Sequence, residues 1–215
     1  MKKNISIVQV VLTVVYVACL LISNVITGKQ LLLPFNITMT GAVLVFPIVY
    51  VLSDLFSEVY GYKWSRLTCY LAFAMNILMV VIFSIVIVTP APSYWEHQEA
   101  FQTVLGNTPR ILFASLTAFV LGDFVNDKIF SKMKAKHAHE LKGFGWRAVL
   151  SSLVGELVDS LVFLPLAFLG TMPVETLVVM TLLQVLIKTG YEVVILPITR
   201  LVVKKVSAYE AKLEG

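Results

Sequence analysis

An all-α integral membrane protein, a bundle of six transmembrane helices with both termini in the cytoplasm, is what this sequence predicts, on three observations. Of its 215 residues, 58% are hydrophobic and only 14% charged, and the mean hydropathy of +0.87 lies beyond the range of soluble domains. Six apolar runs approach the ~20 residues that cross a bilayer. The basic residues fall almost entirely on one side of the topology those runs define.

The runs cover about 5 to 27, 41 to 60, 68 to 89, 110 to 130, 147 to 169 and 175 to 203. The first follows Lys2 and Lys3 as a signal peptide would, but it is too long and lacks a small-residue cleavage site. Pro47 and Pro197 fall within spans, where proline kinks a helix or opens its backbone. No stretch leaves room for a soluble domain of roughly 100 residues, so residues 1–215 read as a single transmembrane domain. Cys19 and Cys69 fall toward opposite membrane faces and predict no disulfide.

Orientation follows from the cations. With both termini inside, Lys2, Lys3, Lys63, Arg66, Lys128, Lys132, Lys134, Lys136, Lys142, Arg147, Arg200, Lys204, Lys205 and Lys212 are cytoplasmic and only Lys29 and Arg110 are outside. That bias places the protein in the cell (inner) membrane, N-in and C-in. It also explains the pI near 9 without nucleic acid, because the charges sit in short loops and tails rather than on a basic face with stacking aromatics. His137 and His139 lie in the basic loop after the fourth run with no third ligand, so no metal is expected. Residues 28–40 stay apolar and contain Pro34, which suits an interfacial or re-entrant cap. The sequon at Asn36 matters only in a secretory-pathway host. Residues 90–109, with Trp95 and three prolines, make the longest outer loop, and its aromatics suit the membrane interface.

Against this apolar background stand seven carboxylates and one lysine within the spans: Asp54, Glu58, Asp123, Asp127, Glu156, Asp159, Glu192 and Lys188. An ionisable group in hydrocarbon costs at least ~2.5 kcal/mol, so such residues turn inward and mark a polar path. At ~1.5 Å per residue, Asp54, Asp123 and Lys188 lie ~20 Å below the outer face and Glu156 ~16 Å, near one level. Spacings of i, i+4 (Asp54/Glu58, Asp123/Asp127, Lys188/Glu192) and i, i+3 (Glu156/Asp159) put each pair on one helix face. Tyr50, Ser57, Ser115, Asn126, Ser152, Ser160, Gln184 and Tyr191 extend those faces. Asn24 and Asn76 either complete the polar interior or glue helices together. Some charges serve structure: Lys188 has Glu192 or Glu156 to neutralise, and Asp127 has Lys128 at the rim. Leu52-Ser53-Asp54 with Glu58 echoes Leu121-Gly122-Asp123 with Asp127, as parallel repeats in transporters do.

The run Ser53-Asp54-Leu55-Phe56-Ser57-Glu58-Val59-Tyr60-Gly61-Tyr62-Lys63, followed by Arg66, resembles the signature of the queuosine precursor transporters, also called the VUT family. Asn24 with Lys29, Pro109-Arg110 with Ser115 and Asp123, Arg147, Ser151-Ser152, Gly155-Glu156, Asp159-Ser160 with Phe163, and Lys188, Glu192 and Pro197 continue the resemblance over nearly the whole chain.

The resemblance implies uptake of 7-deazaguanine bases, such as 7-cyano-7-deazaguanine, 7-aminomethyl-7-deazaguanine or queuine, for tRNA modification. Residue chemistry agrees: such a base offers a ring N–H beside an exocyclic amine, which one carboxylate accepts, and a carbonyl that Lys, Asn or Gln satisfies. Asn24, Tyr50, Asp54, Asn76, Ser115, Asp123, Glu156, Asp159, Gln184, Lys188 and Glu192 are the expected substrate-binding set. Within it Glu156 or Asp159 takes the carboxylate role, Lys188 or Asn24 meets the carbonyl, and Tyr50, Phe119 or Phe163 stacks. Glu58, Arg66 and Asp127 are assigned to gating or structural pairing.

No cofactor is expected, and a G-x-x-x-x-G-K-[ST] loop is missing, so ATP would have to be used by a partner. The substrate-binding subunit of an ATP-driven vitamin-type transporter is the alternative, although the first run lacks the A-x-x-x-A pattern expected for docking an ATPase. An intramembrane enzyme is disfavoured because all three histidines are in loops and no G-x-S-x-G or H-E-x-x-H motif occurs. The expected partners are the small-molecule base and the lipid bilayer, and the sequence leaves room for a homodimer.

Overall fold

The computed structural model describes residues 5–34, 37–136 and 144–214. Helix makes up 82% of it: α1 (Ile7–Ile26), α2 (Phe46–Leu55), α3 (Tyr62–Val88), α4 (Gln98–Leu105), α5 (Thr108–Lys136), α6 (Phe144–Phe168) and α7 (Val174–Glu214). Two short strands, β1 (Gln30–Leu33) and β2 (Ile37–Thr40), pair after α1. Among the described residues, four segments are long and apolar enough to cross a membrane: Ile7–Ile26, Tyr62–Val88, Gln98–Gly122 and Val174–Ile195. The chain is therefore a polytopic, mainly α-helical membrane protein.

Burial runs opposite to that of a water-soluble helix. The buried positions of α3 are Thr68, Cys69, Ala72 and Asn76, while Leu71, Leu78, Ile82 and Ile85 are exposed. On α1 the buried set is Gln9, Tyr16, Cys19, Ser23 and Asn24, with Val10, Val11, Val14 and Ile22 outside. Small and polar side chains between helices, with aliphatic ones outward, suit a lipid solvent.

The chain divides into two compact units. The first contains residues 1–31, 40–108 and 191–215. Ser6 caps α1, its Oγ accepting from Gln9 N–H at 3.0 Å as N-cap serines do. Tyr16, Leu52, Phe56 and Ala72 form this unit's core, with the Tyr16 ring edge-on to Phe56, centroids 6.0 Å apart. Pro47 stands in the first turn of α2, where its missing N–H costs nothing, so it starts a helix instead of kinking one. α2 ends after ten residues, passing through a π-helical turn, Phe56–Tyr60, into Gly61. Gly61 has φ 81° and ψ 168°, a region essentially closed to other residues. The family signature thus folds as a helix with one widened turn and a glycine corner.

The second unit contains residues 32–39 and 109–190. Its α5 and α6 meet at glycine. A Cβ on Gly122 would stand 2.9 Å from the Gly155 carbonyl oxygen and 3.2 Å from the Asp159 Cβ, so only hydrogen fits. Arg110 closes the other end of α6, donating from Nε to Leu166 O at 2.8 Å and from Nη2 to Leu169 O at 2.6 Å. A cation on the last carbonyls of a helix satisfies orphan acceptors and the macrodipole together. Gly170, at φ 86°, then turns the chain into α7.

Three expectations change. Within the apolar segment after α1, β1 and β2 pair, which hydropathy did not predict: Pro34, with no N–H to give, follows the first strand, and Gly41 N–H bonds Lys29 O at 2.8 Å beside the pair. The long loop expected at 90–109 contains α4, which Gln98 ties back through Nε2 to Ile87 O at 2.8 Å. The last helix continues beyond the expected 203 to Glu214. Glu210 explains that extension, because its Oε1 accepts from Tyr60 OH at 2.8 Å and from the Ser6 hydroxyl. Cys19 and Cys69 are both free and buried.

Candidate functional site

In the first unit, Asn24 Nδ2 donates to Asn76 Oδ1 at 2.6 Å, and Asn76 Nδ2 donates to Ala72 O at 2.8 Å. Interhelical glue is one of the two roles expected of these asparagines, and the bond uses one of the two Asn24 amide N–H groups. Glu58 is exposed on the π turn. Ser57 Oγ donates to Ser65 Oγ at 3.2 Å, and the Arg66 guanidinium lies 5.0 Å from the centre of the Tyr62 ring, a cation–π arrangement. The signature segment is thereby stitched to the start of α3. The side chains of Tyr50, Asp54, Asp123, Asp127 and Glu192 lie outside the described set, as do those of Asn126, Arg147, Ser151 and Ser152. His137, His139 and Asn36 fall outside the described residues altogether.

In the second unit α6 and α7 bring three of the expected residues together. Lys188 Nζ lies 2.7 Å from Asp159 Oδ2, with the Lys188 side chain 8% exposed and that of Asp159 28%. Glu156 Oε2 accepts from Thr189 Oγ1 at 3.3 Å. The sequence offered Glu192 or Glu156 as the neutraliser of Lys188, and Asp159 is a further partner that the fold supplies. A lysine so far from water keeps its charge only beside an anion, which is why α6 and α7 register here. Thr189 carried no signal, since membrane threonines usually bond back to their own helix. Ser115, on α5, is half-buried.

One turn further along α7 is Gln184, fully buried, with neither Nε2 nor Oε1 hydrogen-bonded; Ser160, equally buried on α6, has an unpaired Oγ. Gln9 Nε2 and Thr40 Oγ1 are also unpaired in the first unit, but Gln184 leaves its entire amide bare. Phe163, next on α6, is buried and edge-on to Phe168, centroids 6.3 Å apart. The arrangement holds an ion pair, a second carboxyl and a bare donor–acceptor amide. Such a set offers hydrogen-bond donors and acceptors to a polar solute.

A membrane protein with a buried polar site of this kind belongs to the class that handles small polar solutes. Its sequence matches the model of the family described as "Putative vitamin uptake transporter" over residues 40–202, a span that holds every ionisable residue of the expected belt. The chain belongs to this family. It is 24% identical over 167 residues to a Bacillus subtilis protein named "Probable queuosine precursor transporter", covering 76% of this chain and 71% of the relative. A Haemophilus influenzae protein of the same name is 28% identical over 141 residues, covering 62% of this chain. The match spans about half, 54%, of the Haemophilus protein's length. No solved structure matches the chain.

Proposed function

We propose that this protein imports queuosine precursors, free 7-deazaguanine bases, across the cell (inner) membrane, working as a single transport domain of six membrane crossings with both termini inside. The observation that carries the reading is the buried α6/α7 cluster, Glu156 and Asp159 with Lys188, inside the segment that matches the family. The names of the two relatives supply the substrate class.

The chemistry supports that class. In the unloaded site Lys188 holds Asp159. An arriving base presents a ring N–H and an exocyclic amine side by side, which a carboxylate accepts as a pair. Glu156 is given this role because Asp159 already holds Lys188 and would have to leave a charged partner. Lys188 then meets the base carbonyl, and Phe163 supplies an apolar face for the ring. Asn24, the other candidate for the carbonyl, already gives one amide N–H to Asn76.

Uptake of labelled 7-cyano-7-deazaguanine into cells lacking their own carrier tests the reading. Glu156→Gln and Asp159→Asn should each reduce uptake about tenfold or more at equal expression, since a charge-assisted bond is worth ~1.5–3 kcal/mol. Undiminished uptake by both variants removes the assignment.

A further inference from the structure

A buried carboxamide with no partner costs ~1–3 kcal/mol for each unmet group, so Gln184 is maintained against a stability penalty. Its surroundings say what it is for. On α7 it stands i−4 from Lys188, on the same face and about 6 Å away. On α6, Ser160 follows Asp159 and stands i+4 from Glu156. The contacts of Asp159 with Lys188 and of Glu156 with Thr189 run antiparallel, so Ser160 and Gln184 both lie on the side of the ion pair toward the Gly170 turn. Two fully buried, unpartnered polar side chains therefore adjoin the charged cluster.

A primary amide sets one donor beside one acceptor. Both are satisfied at once by a partner that sets an acceptor beside a donor. A free 7-deazaguanine has three such edges. Two of them, the lactam and the exocyclic amine beside the imine-type ring nitrogen, draw on the N–H and amine groups that the carboxylate already holds in the reading above. The third is the pyrrole-type N–H with that same ring nitrogen next to it. In a nucleoside that pyrrole nitrogen carries the sugar and the donor is gone.

We propose that Gln184, with Ser160 beside it, recognises the unsubstituted pyrrole edge of the base, and so selects free base over the glycosylated nucleoside. This rests on the transport reading and adds to it the residue that sets specificity. A site built to hydrogen-bond a substrate N–H rejects the analogue lacking it, because its own polar groups are then left unpaired.

The test is equilibrium binding of 7-deazaguanine and of its pyrrole-N-methyl derivative to the purified full-length chain, in wild type and in Gln184→Met. Wild type should bind the free base about tenfold or more tightly than the methylated one. Gln184→Met should bind the free base about tenfold more weakly than wild type and should no longer distinguish the two. Its unliganded melting temperature should equal or exceed that of wild type, since the change removes bare polar atoms at nearly constant length. Equal affinity of wild type for both compounds, or discrimination surviving in Gln184→Met, overturns the proposal. So does a lower melting temperature of the unliganded variant, which would give Gln184 a structural partner. Failure of wild type to bind either compound overturns the transport reading itself, which separates the two failures.

Discussion

Replacing Lys188 with Met tests whether the buried pair is the element that registers α6 against α7. At 2.7 Å between Nζ and Oδ2, the gross attraction is about 6 kcal/mol for an effective dielectric constant near 20, and desolvation of both groups offsets much of it. Removing one partner of a buried pair typically costs ~3–5 kcal/mol, because the other charge is stranded. Asp159 retains 28% side-chain exposure, so the lower end, about 3 kcal/mol, is the expectation for Lys188→Met. For a chain of this size that is a fall of about 6–12 °C in melting temperature. Thermal unfolding of the purified protein in detergent measures it.

The double variant Lys188→Met with Asp159→Asn removes both charges and should recover most of the loss, since a neutral replacement of a buried pair is often near neutral for stability. Uptake should stay abolished in both, because each lacks a substrate-facing group. A single variant as stable as wild type would refute the reasoning. So would a double variant no more stable than the single.

Two further outcomes follow from backbone geometry. Gly122→Ala places a Cβ 2.9 Å from the Gly155 carbonyl oxygen and 3.2 Å from the Asp159 Cβ; it should cost ~1–3 kcal/mol as overpacking and lower uptake by shifting Asp159, read by melting temperature and transport in the same preparation. Gly61→Ala meets nothing within 4 Å but requires φ 81° and ψ 168°; it should cost ~1–3 kcal/mol through the backbone alone, and Gly61→Ser, equally constrained, should cost the same within error in urea unfolding.

Helices were legible in the sequence because lipid forces each spanning segment to satisfy its own backbone, so apolar length nearly defines the element. The five long helices fall where apolar runs predicted them, and their ends shift by up to about two turns, apart from the C-terminal end of α7, which runs about three turns past its expected end. The remainder depends on partners that no single run can show. The strand pair after α1 depends on bonding between two four-residue pieces, each too short to announce itself. The π turn in the signature is a change of hydrogen-bond register, to which hydropathy is blind. The last turns of α7 look like a charged tail until Glu210 is seen to hold Ser6 and Tyr60.

The site followed the same division. Spacing along α6 and α7 placed Glu156, Asp159, Gln184 and Lys188 on facing stripes, which periodicity can do. Which carboxylate meets the lysine depends on how α6 and α7 cross, which no single run can show; α6 is itself held against α5, at Gly122 and by Arg110 on its end. Close helix approach leaves no lipid between the polar groups, and the low local dielectric strengthens every bond they make while raising the cost of each bond left unmade. A fold selected for stability alone would place leucine at 184 and alanine at 160. Retaining a bare amide and a bare hydroxyl beside an ion pair is stability given up at one place, and a solute that completes those bonds regains it on binding.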